Sequence, residues 1–207
     1  MVTPEERRII LDRCRTLPPP RGCDEDFDFI THLMMTVLDY QLPVTTLARA
    51  GSHFRRHLAL KITTADELQR FFERYPDDRS GNTGAAQELW GYNYWNRAQQ
   101  LRNLLTYFIS IGVTDKDKLR TWAGNSSFER DFQGKVKGLG FAIYKWLVIR
   151  LGVDSVKPDL RVHRFLHRTA GRVLSDEEAV SVLESIAKEL GRSARDLDFS
   201  IWEHEEQ

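Results

Sequence analysis

The chain of 207 residues is 41% hydrophobic and 29% charged, with 30 basic side chains balanced by 30 acidic ones and only two cysteines. That length buries an apolar core without metals or disulfides, and the composition excludes collagen, low-complexity tails and cystine-stapled scaffolds. No apolar run approaches the roughly 20 residues that span a bilayer, and the opening MVTPEERRII places charge where an export signal needs an apolar stretch; a cytoplasmic chain without a membrane partner is expected, with Cys14 and Cys23 as reduced thiols.

The apolar periodicity is helical almost throughout, which predicts an all-α chain. Thr3, Pro4 and Glu6 form a capping box that opens a helix running to about Leu17, and Pro18 to Pro20 stop it. A second helix is predicted from near Asp24, with Phe27, Ile30, Met34, Val37 and Leu38 on one face, and it ends before Pro43. A third covers about 44–59. Thr64 with Glu67 starts a fourth that carries Leu68, Phe71 and Phe72 inward and ends at Pro76. The stretch PDDRSGNTG then reads as the clearest loop.

A short helix from Ala85 to Trp90 leads into a longer one from about Tyr94 to Ile111, with Trp95, Ala98, Leu101, Leu105 and Phe108 inward and Gly112 at its end. Thr114 and Asp117 cap a brief helix through Trp122, and Ser126 to Phe132 add a further turn. Ser175 with Glu178 opens a helix that closes at Gly191, and Ser193 opens the last, with Leu197, Ile201 and Trp202 apolar.

The balanced total conceals a segregation of charge. Residues 135–168 hold eight basic side chains against Asp154 and Asp159, a net of +6, whereas residues 175–207 hold ten acidic against three basic, a net of −7. The positive segment is a candidate anion-binding surface; the acidic end reads as solvated helix faces. Within the positive segment Gly138 and Gly140 stand one residue apart between two helices. Glycines there can take positive φ and let successive amides, together with a helix N-terminus, converge on one phosphate oxygen. Lys135 and Lys137 flank them and add charge-assisted contacts. Asp159 follows 21 residues after Gly138 and heads the next helix, where an aspartate also serves as an ordinary N-cap.

With hairpin, helix and aspartate in this order, the chain resembles the helix-hairpin-helix (HhH-GPD) DNA glycosylase superfamily, which includes endonuclease III and the alkyladenine glycosylases. Two further stretches are similar to it: Leu38-Asp-Tyr-Gln41, like the family's Leu-x-x-Gln turn, and Trp90 to Leu101, like its glycine, aromatic, basic-alanine and leucine pattern. The likeness runs from about residue 24 to residue 170. It implies a two-lobed all-α fold with a DNA cleft between the lobes. Residues 1–23 would be an N-terminal helix and Pro-rich linker and 24–207 the glycosylase domain, with the helix-hairpin-helix at about 127–151, the aspartate loop at 152–160 and C-terminal helices at 161–207.

The activity that the resemblance implies is excision of a damaged or modified base from duplex DNA by a monomer, in repair or in the removal of modified phage bases. The target nucleotide leaves the stack because its anomeric carbon is inaccessible inside the helix, and a carboxylate stabilises the oxocarbenium-like sugar as the base departs. Asp159 is the implied catalytic carboxylate and Gln41 the implied wedge. Lys135, Lys137, Gly138 and Gly140 would grip phosphate, with Arg161 and Arg164 approaching it or solvating the outer face of their helix. Bifunctional members carry a lysine four residues after the first hairpin glycine, where this chain has Ala142; Lys145 lies about 300° further round the helix, so a monofunctional enzyme is expected. The family's iron–sulfur cysteines are absent, and no cofactor is implied.

Tyr40, Trp90, Tyr92, Tyr94 and Trp95 are candidates to stack on a flipped base or to pack the core, with Tyr40, beside Gln41, first among them. Asn93 and Asn96 can read a base edge or stand as surface polar groups. His163 and His167 share a helix face, but no third ligand accompanies them, so no metal site is expected. The alternative from another class is a non-catalytic helix-hairpin-helix module that only clamps DNA; a helical protein-interaction domain is a third reading, disfavoured by the basic segment.

Overall fold

The computed structural model describes residues 1–21, 27–40 and 42–205; Cys23, Asp24 and Gln41, each singled out above, lie outside the described residues. Among the described residues every regular element is helical. Helix α1 (Pro4–Arg15) and helix α4 (Ala65–Glu73) start at the capping boxes of Thr3 with Glu6 and Thr64 with Glu67, and α10 (Asp176–Glu189) starts at that of Ser175 with Glu178. Helix α2 (Phe29–Leu38) is capped by Asp28, so its described start lies later than the sequence suggested. The remaining helices are α3 (Val44–His57), α5 (Arg79–Trp90), α6 (Trp95–Ser110), α7 (Lys116–Asn125), α8 (Phe141–Arg150), α9 (Leu160–Ala170) and α11 (Ala194–Glu205), with one π-helical turn at Phe128–Phe132.

Two sequence expectations need correction. Helix α7 is capped by Asp115, whose side chain accepts from Lys118 N, and not by Thr114. The stretch read as the clearest loop is helical from Arg79 onward, as the first part of α5. Its turn-forming residues serve the helix. The Asp78 carboxylate caps it by accepting from Gly81 N at 2.7 Å. Asn82 is wholly buried and donates to the Asp78 carbonyl and to Gln99 Oε1, each at 2.8 Å. Gly81 lies so close to the Pro76 backbone that a Cβ there would come within 2.1 Å of the Pro76 carbonyl oxygen. A glycine, an asparagine and an aspartate are thus kept for capping and close approach, uses that composition does not distinguish from a loop.

The chain forms two compact units, a middle one of residues 26–143 and a terminal one of residues 1–25 with 144–207. In the middle unit α6 packs against α5, α2 and α4, while α3 lies on α5. Ala98, Leu101, Leu105 and Phe108 of α6 are buried as their spacing predicts, whereas Trp95, also expected inward, is 37% exposed at the first helical position. In the terminal unit α1 packs on α9 and α10, and α11 on both of those. The N-terminal helix therefore contributes Ile10, Leu11 and Cys14 to the same core as Phe165, Leu183 and Ile201. Burial there pushes the Cys14 thiol up to about 12, which leaves it unreactive at neutral pH.

The close approach at Gly81 gives a contrast with Gly124, a helical glycine of α7 around which a Cβ meets nothing within 4 Å. Gly81→Ala is expected to destabilise by on the order of 1–3 kcal/mol through overpacking. Gly124→Ala should be neutral or stabilise by up to ~1 kcal/mol. Urea unfolding midpoints of the two variants check this.

Candidate functional site

In the middle unit the hairpin alternates. Val136 and Leu139 are buried, while Lys135, Lys137, Gly138 and Gly140 are exposed. Gly138 has φ +84°, as the hairpin requires. Gly140, expected to share that freedom, does not have positive φ; its carbonyl accepts from Ile143 N at 3.2 Å, which sets it at the start of α8. The first amides of α8, without intrahelical acceptors, follow directly on the exposed glycines.

A chain of polar contacts buttresses this turn. Gln100 of α6 donates from Nε2 to the Gly138 carbonyl at 3.0 Å and accepts at Oε1 from the Tyr40 hydroxyl at 2.8 Å. The Tyr40 carbonyl in turn accepts from Arg97 Nη2 at 2.8 Å, and the Arg97 guanidinium carbon lies 3.4 Å from the Tyr40 ring centroid. Arg97 is only 6% exposed, and burial lowers its pKa to about 10. Three places that the sequence singled out separately, the end of α2, the head of α6 and the hairpin glycine, are therefore physically joined. Tyr40 is fixed in this network beside Gln41. A Cβ on Gly138 would come within 2.9 Å of Gln100 Nε2, so the glycine is needed for the contact as well as for its φ.

The aromatic candidates separate by burial. Trp90 is 1% exposed and belongs to the core. Tyr92 and Tyr94 stack on each other with centroids 5.3 Å apart, and Trp95 lies beneath the Arg79 guanidinium at 5.4 Å. Asn93 accepts from Gln87 Nε2 at 2.6 Å, and Asn96 Oδ1 accepts from Arg97 N. Both are exposed.

In the terminal unit Asp159 is the N-cap of α9. Its Oδ1 accepts from Arg161 N at 2.9 Å and from Val162 N at 3.1 Å. Its Oδ2 lies 3.8 Å from Lys157 Nζ, and the side chain remains 24% exposed. Lys157 also sits over the Trp146 ring, with Nζ 4.6 Å from the centroid. A second carboxyl group supports the loop: Asp198 of α11 accepts from Lys157 N at 3.1 Å. Burial, and secondarily the negative charge of Asp159, pushes Asp198 up to about 8, against which the Lys157 amide and ammonium act. The aspartate loop thus carries one carboxylate with an oxygen fixed by helix amides and another 3.8 Å from Lys157 Nζ, backed by a carboxyl group that favours its proton at neutral pH.

Arg161 and Arg164 diverge. The Arg161 guanidinium lies 4.0 Å from the Trp202 ring centroid, while Arg164 is exposed. Lys145 donates to Ser155 Oγ at 2.9 Å and stands 3.6 Å from Glu184, to which Ser155 Oγ itself donates at 2.5 Å. His163 pairs with Asp176 at 2.7 Å, and His167 is exposed. Among the described residues no group of three or more His, Cys, Asp or Glu is placed to hold a metal ion, and no helix is long and apolar enough to cross a membrane. Sequence reasoning missed Gln100, Lys157 and Asp198. Lys157 stood in plain view two residues before Asp159, whereas Asp198 carried no signal within an acidic tail.

Asp198 supplies a pH test. Its carboxyl group holds a proton to about pH 8 in the folded chain but only to about 3.8 when unfolded, so its contribution to stability is fully present below pH 3.8 and is lost as pH rises through 8. Relative to Asp198→Asn, which keeps an acceptor for Lys157 N, wild-type stability should decline between about pH 4 and pH 8 and then level off. Denaturant titrations across that range measure the difference; equal slopes for both proteins would contradict the assignment.

Residues 44–206 match a family model described as a domain of unknown function, DUF8548. The matched stretch contains the hairpin, Gln100 and the whole aspartate loop, while Tyr40 and α1 precede it. No curated protein and no solved structure matches the chain. Since the match extends over most of its length, the chain belongs to the DUF8548 family.

Proposed function

We propose that this protein is a monofunctional DNA glycosylase with the two-lobed helix-hairpin-helix architecture, which excises a damaged or modified base from duplex DNA and leaves an abasic site. The observation that carries the reading is the division of labour within Asp159. Two helix amides hold Oδ1, which fixes the carboxylate, while Oδ2 stands 3.8 Å from Lys157 Nζ on a side chain that remains 24% exposed. A carboxylate so placed stabilises positive charge developing on a deoxyribose without having to reorganise. As the N-glycosidic bond breaks, its electron pair leaves with the base; water adds to the sugar carbon and gives up its proton, for which Oδ2 is the acceptor.

The other parts take supporting roles. Lys135, Lys137 and the amides about Gly138 and Gly140 bind the phosphate backbone, which positions the duplex without reading its sequence. Tyr40 is the residue proposed to meet the extruded base, and the resemblance assigns its gap to Gln41. Lys145 favours the monofunctional form of the reaction: an ammonium engaged by Ser155 and Glu184 lacks the free electron pair that attack on a sugar carbon requires.

The test uses duplexes bearing alkylated, oxidised, deaminated and bulky modified bases, each treated with alkali after incubation. Scission should appear only after alkali and fall at least about a hundredfold in Asp159→Asn, an exchange that preserves the cap and hence the fold. Undiminished scission by that variant would overturn the assignment. Absence of scission on every duplex, with salt-sensitive binding retained, would leave a DNA clamp without catalysis.

A further inference from the structure

The positive segment at 135–168 is not the only one. Between Asp39 and Asp66 the chain has no acidic residue, yet it carries Arg49, Arg55, Arg56 and Lys61 with two histidines. Most of this stretch is α3, and α3 is shallowly seated: among its 14 residues only Ala50 and Phe54 are buried. At 100° per residue Thr45, Ala48, Arg49, Ser52, Arg55 and Arg56 fall within about a third of the helix circumference, and all six are exposed. The face is therefore three guanidinium groups set among small side chains.

These arginines are not neutralised by the protein. Some arginines elsewhere meet carboxylates, as Arg7 does with Glu189, Arg74 with Glu88 and Arg168 with Glu205, while Arg8 and Arg164 are exposed without one among the described residues. Arg49 and Arg56 have no such partner among the described residues, and the side chain of Arg55 reaches only Ser52 Oγ, at 3.3 Å. The helix macrodipole accounts for basic residues in the last turn, which covers Arg55 and Arg56, but its influence does not extend to Arg49 two turns from the end.

From these placements we infer that the exposed face of α3 is a second phosphate-binding surface, taking the backbone of duplex DNA through Arg49, Arg55 and Arg56. The inference rests on the reading of the protein as one that acts on DNA, and it adds a surface in the middle unit that the hairpin motif does not include. Small residues between the arginines let a polyanion approach the helix closely, and guanidinium groups bind phosphate in bidentate fashion. A lipid surface fits less well, because a helix lying on a membrane inserts an apolar stripe, whereas Ala50 and Phe54 of α3 are turned into the core and Val44 is the one large apolar side chain that α3 exposes. Beyond the helix a groove of about 300 Å³ combines Lys61, Arg70 and Arg74 with Glu67 and Glu88, a mixed charge that confines the surface to α3 itself.

The experiment measures the affinity of the full chain for an undamaged duplex as a function of salt. The triple variant Arg49→Gln, Arg55→Gln, Arg56→Gln should lower the magnitude of the slope of log affinity against log salt by about 3, and Arg49→Gln alone by about 1. The side chains replaced are exposed and make no ion pair, so the thermal midpoint is expected to hold; the single variant carries the test if the triple one does not fold. An unchanged slope in these variants, with a reduced slope in Lys135→Gln, Lys137→Gln, overturns the α3 surface and leaves the DNA reading standing. No salt-dependent binding by the wild type removes both. Binding of phosphatidylserine vesicles that is lost in the triple variant, with DNA affinity unchanged, also overturns the proposal and assigns the face to membranes.

Discussion

Burying a charged or ionisable group requires partners that replace water, and each unit meets this requirement in part at the place where its key turn is held. In the middle unit the group is Arg97, a guanidinium 6% exposed whose Nη2 donates to the Tyr40 carbonyl and whose carbon lies against the Tyr40 ring, while its buried Nη1 has no hydrogen-bond partner among the described residues. In the terminal unit it is Asp198, a carboxyl group 6% exposed whose partner is the Lys157 amide. Neither forms a simple ion pair. Each instead fastens a stretch of irregular backbone to a helix through a hydrogen bond that offsets part of the desolvation cost. The end of α2 and the hairpin are thereby tied to α6, and the aspartate loop is tied to α11.

This arrangement bears on function because both tied segments carry exposed polar atoms. The hairpin shows two lysines and two glycines outward while Val136 and Leu139 anchor it from within. The aspartate loop leaves the Asp159 side chain 24% exposed while the helix amides hold Oδ1. Preorganisation of this kind is what electrostatic stabilisation of a developing charge depends on, since a group already fixed has no reorganisation to undergo. Charge on the rest of the chain is divided in the same sense, with arginines unneutralised on α3 and acidic residues concentrated toward α10 and α11. A net charge of zero therefore conceals separate surfaces suited to different tasks.

Much of the fold was legible because helix signals are local. The capping boxes at Thr3, Thr64 and Ser175 stand in the structure, and the apolar spacing of α6 buries the residues it marks, with the exception of Trp95. The start of α5 was not legible, because Asp78, Gly81 and Asn82 have the composition of a turn and their roles depend on Pro76 and Gln99. The candidate site divides along the same line. Asp159 and the hairpin lie in one contiguous stretch and were found. Gln100 lies 38 residues before Gly138, and Asp198 lies 41 residues after Lys157, so only tertiary structure brings them to their partners. The α3 arginines carry no sequence signature for a different reason: no motif accompanies their charge.

In the proposed reaction water, and not an amine of the protein, displaces the base. This is tested most directly by following a single turnover on the preferred duplex, with mass spectrometry of the released base and borohydride present to trap any protein–DNA imine. The account predicts one free base per abasic site formed and no trapped adduct. A covalent adduct mapping to Lys145 or Lys157, or an abasic site without a matching free base, would contradict it.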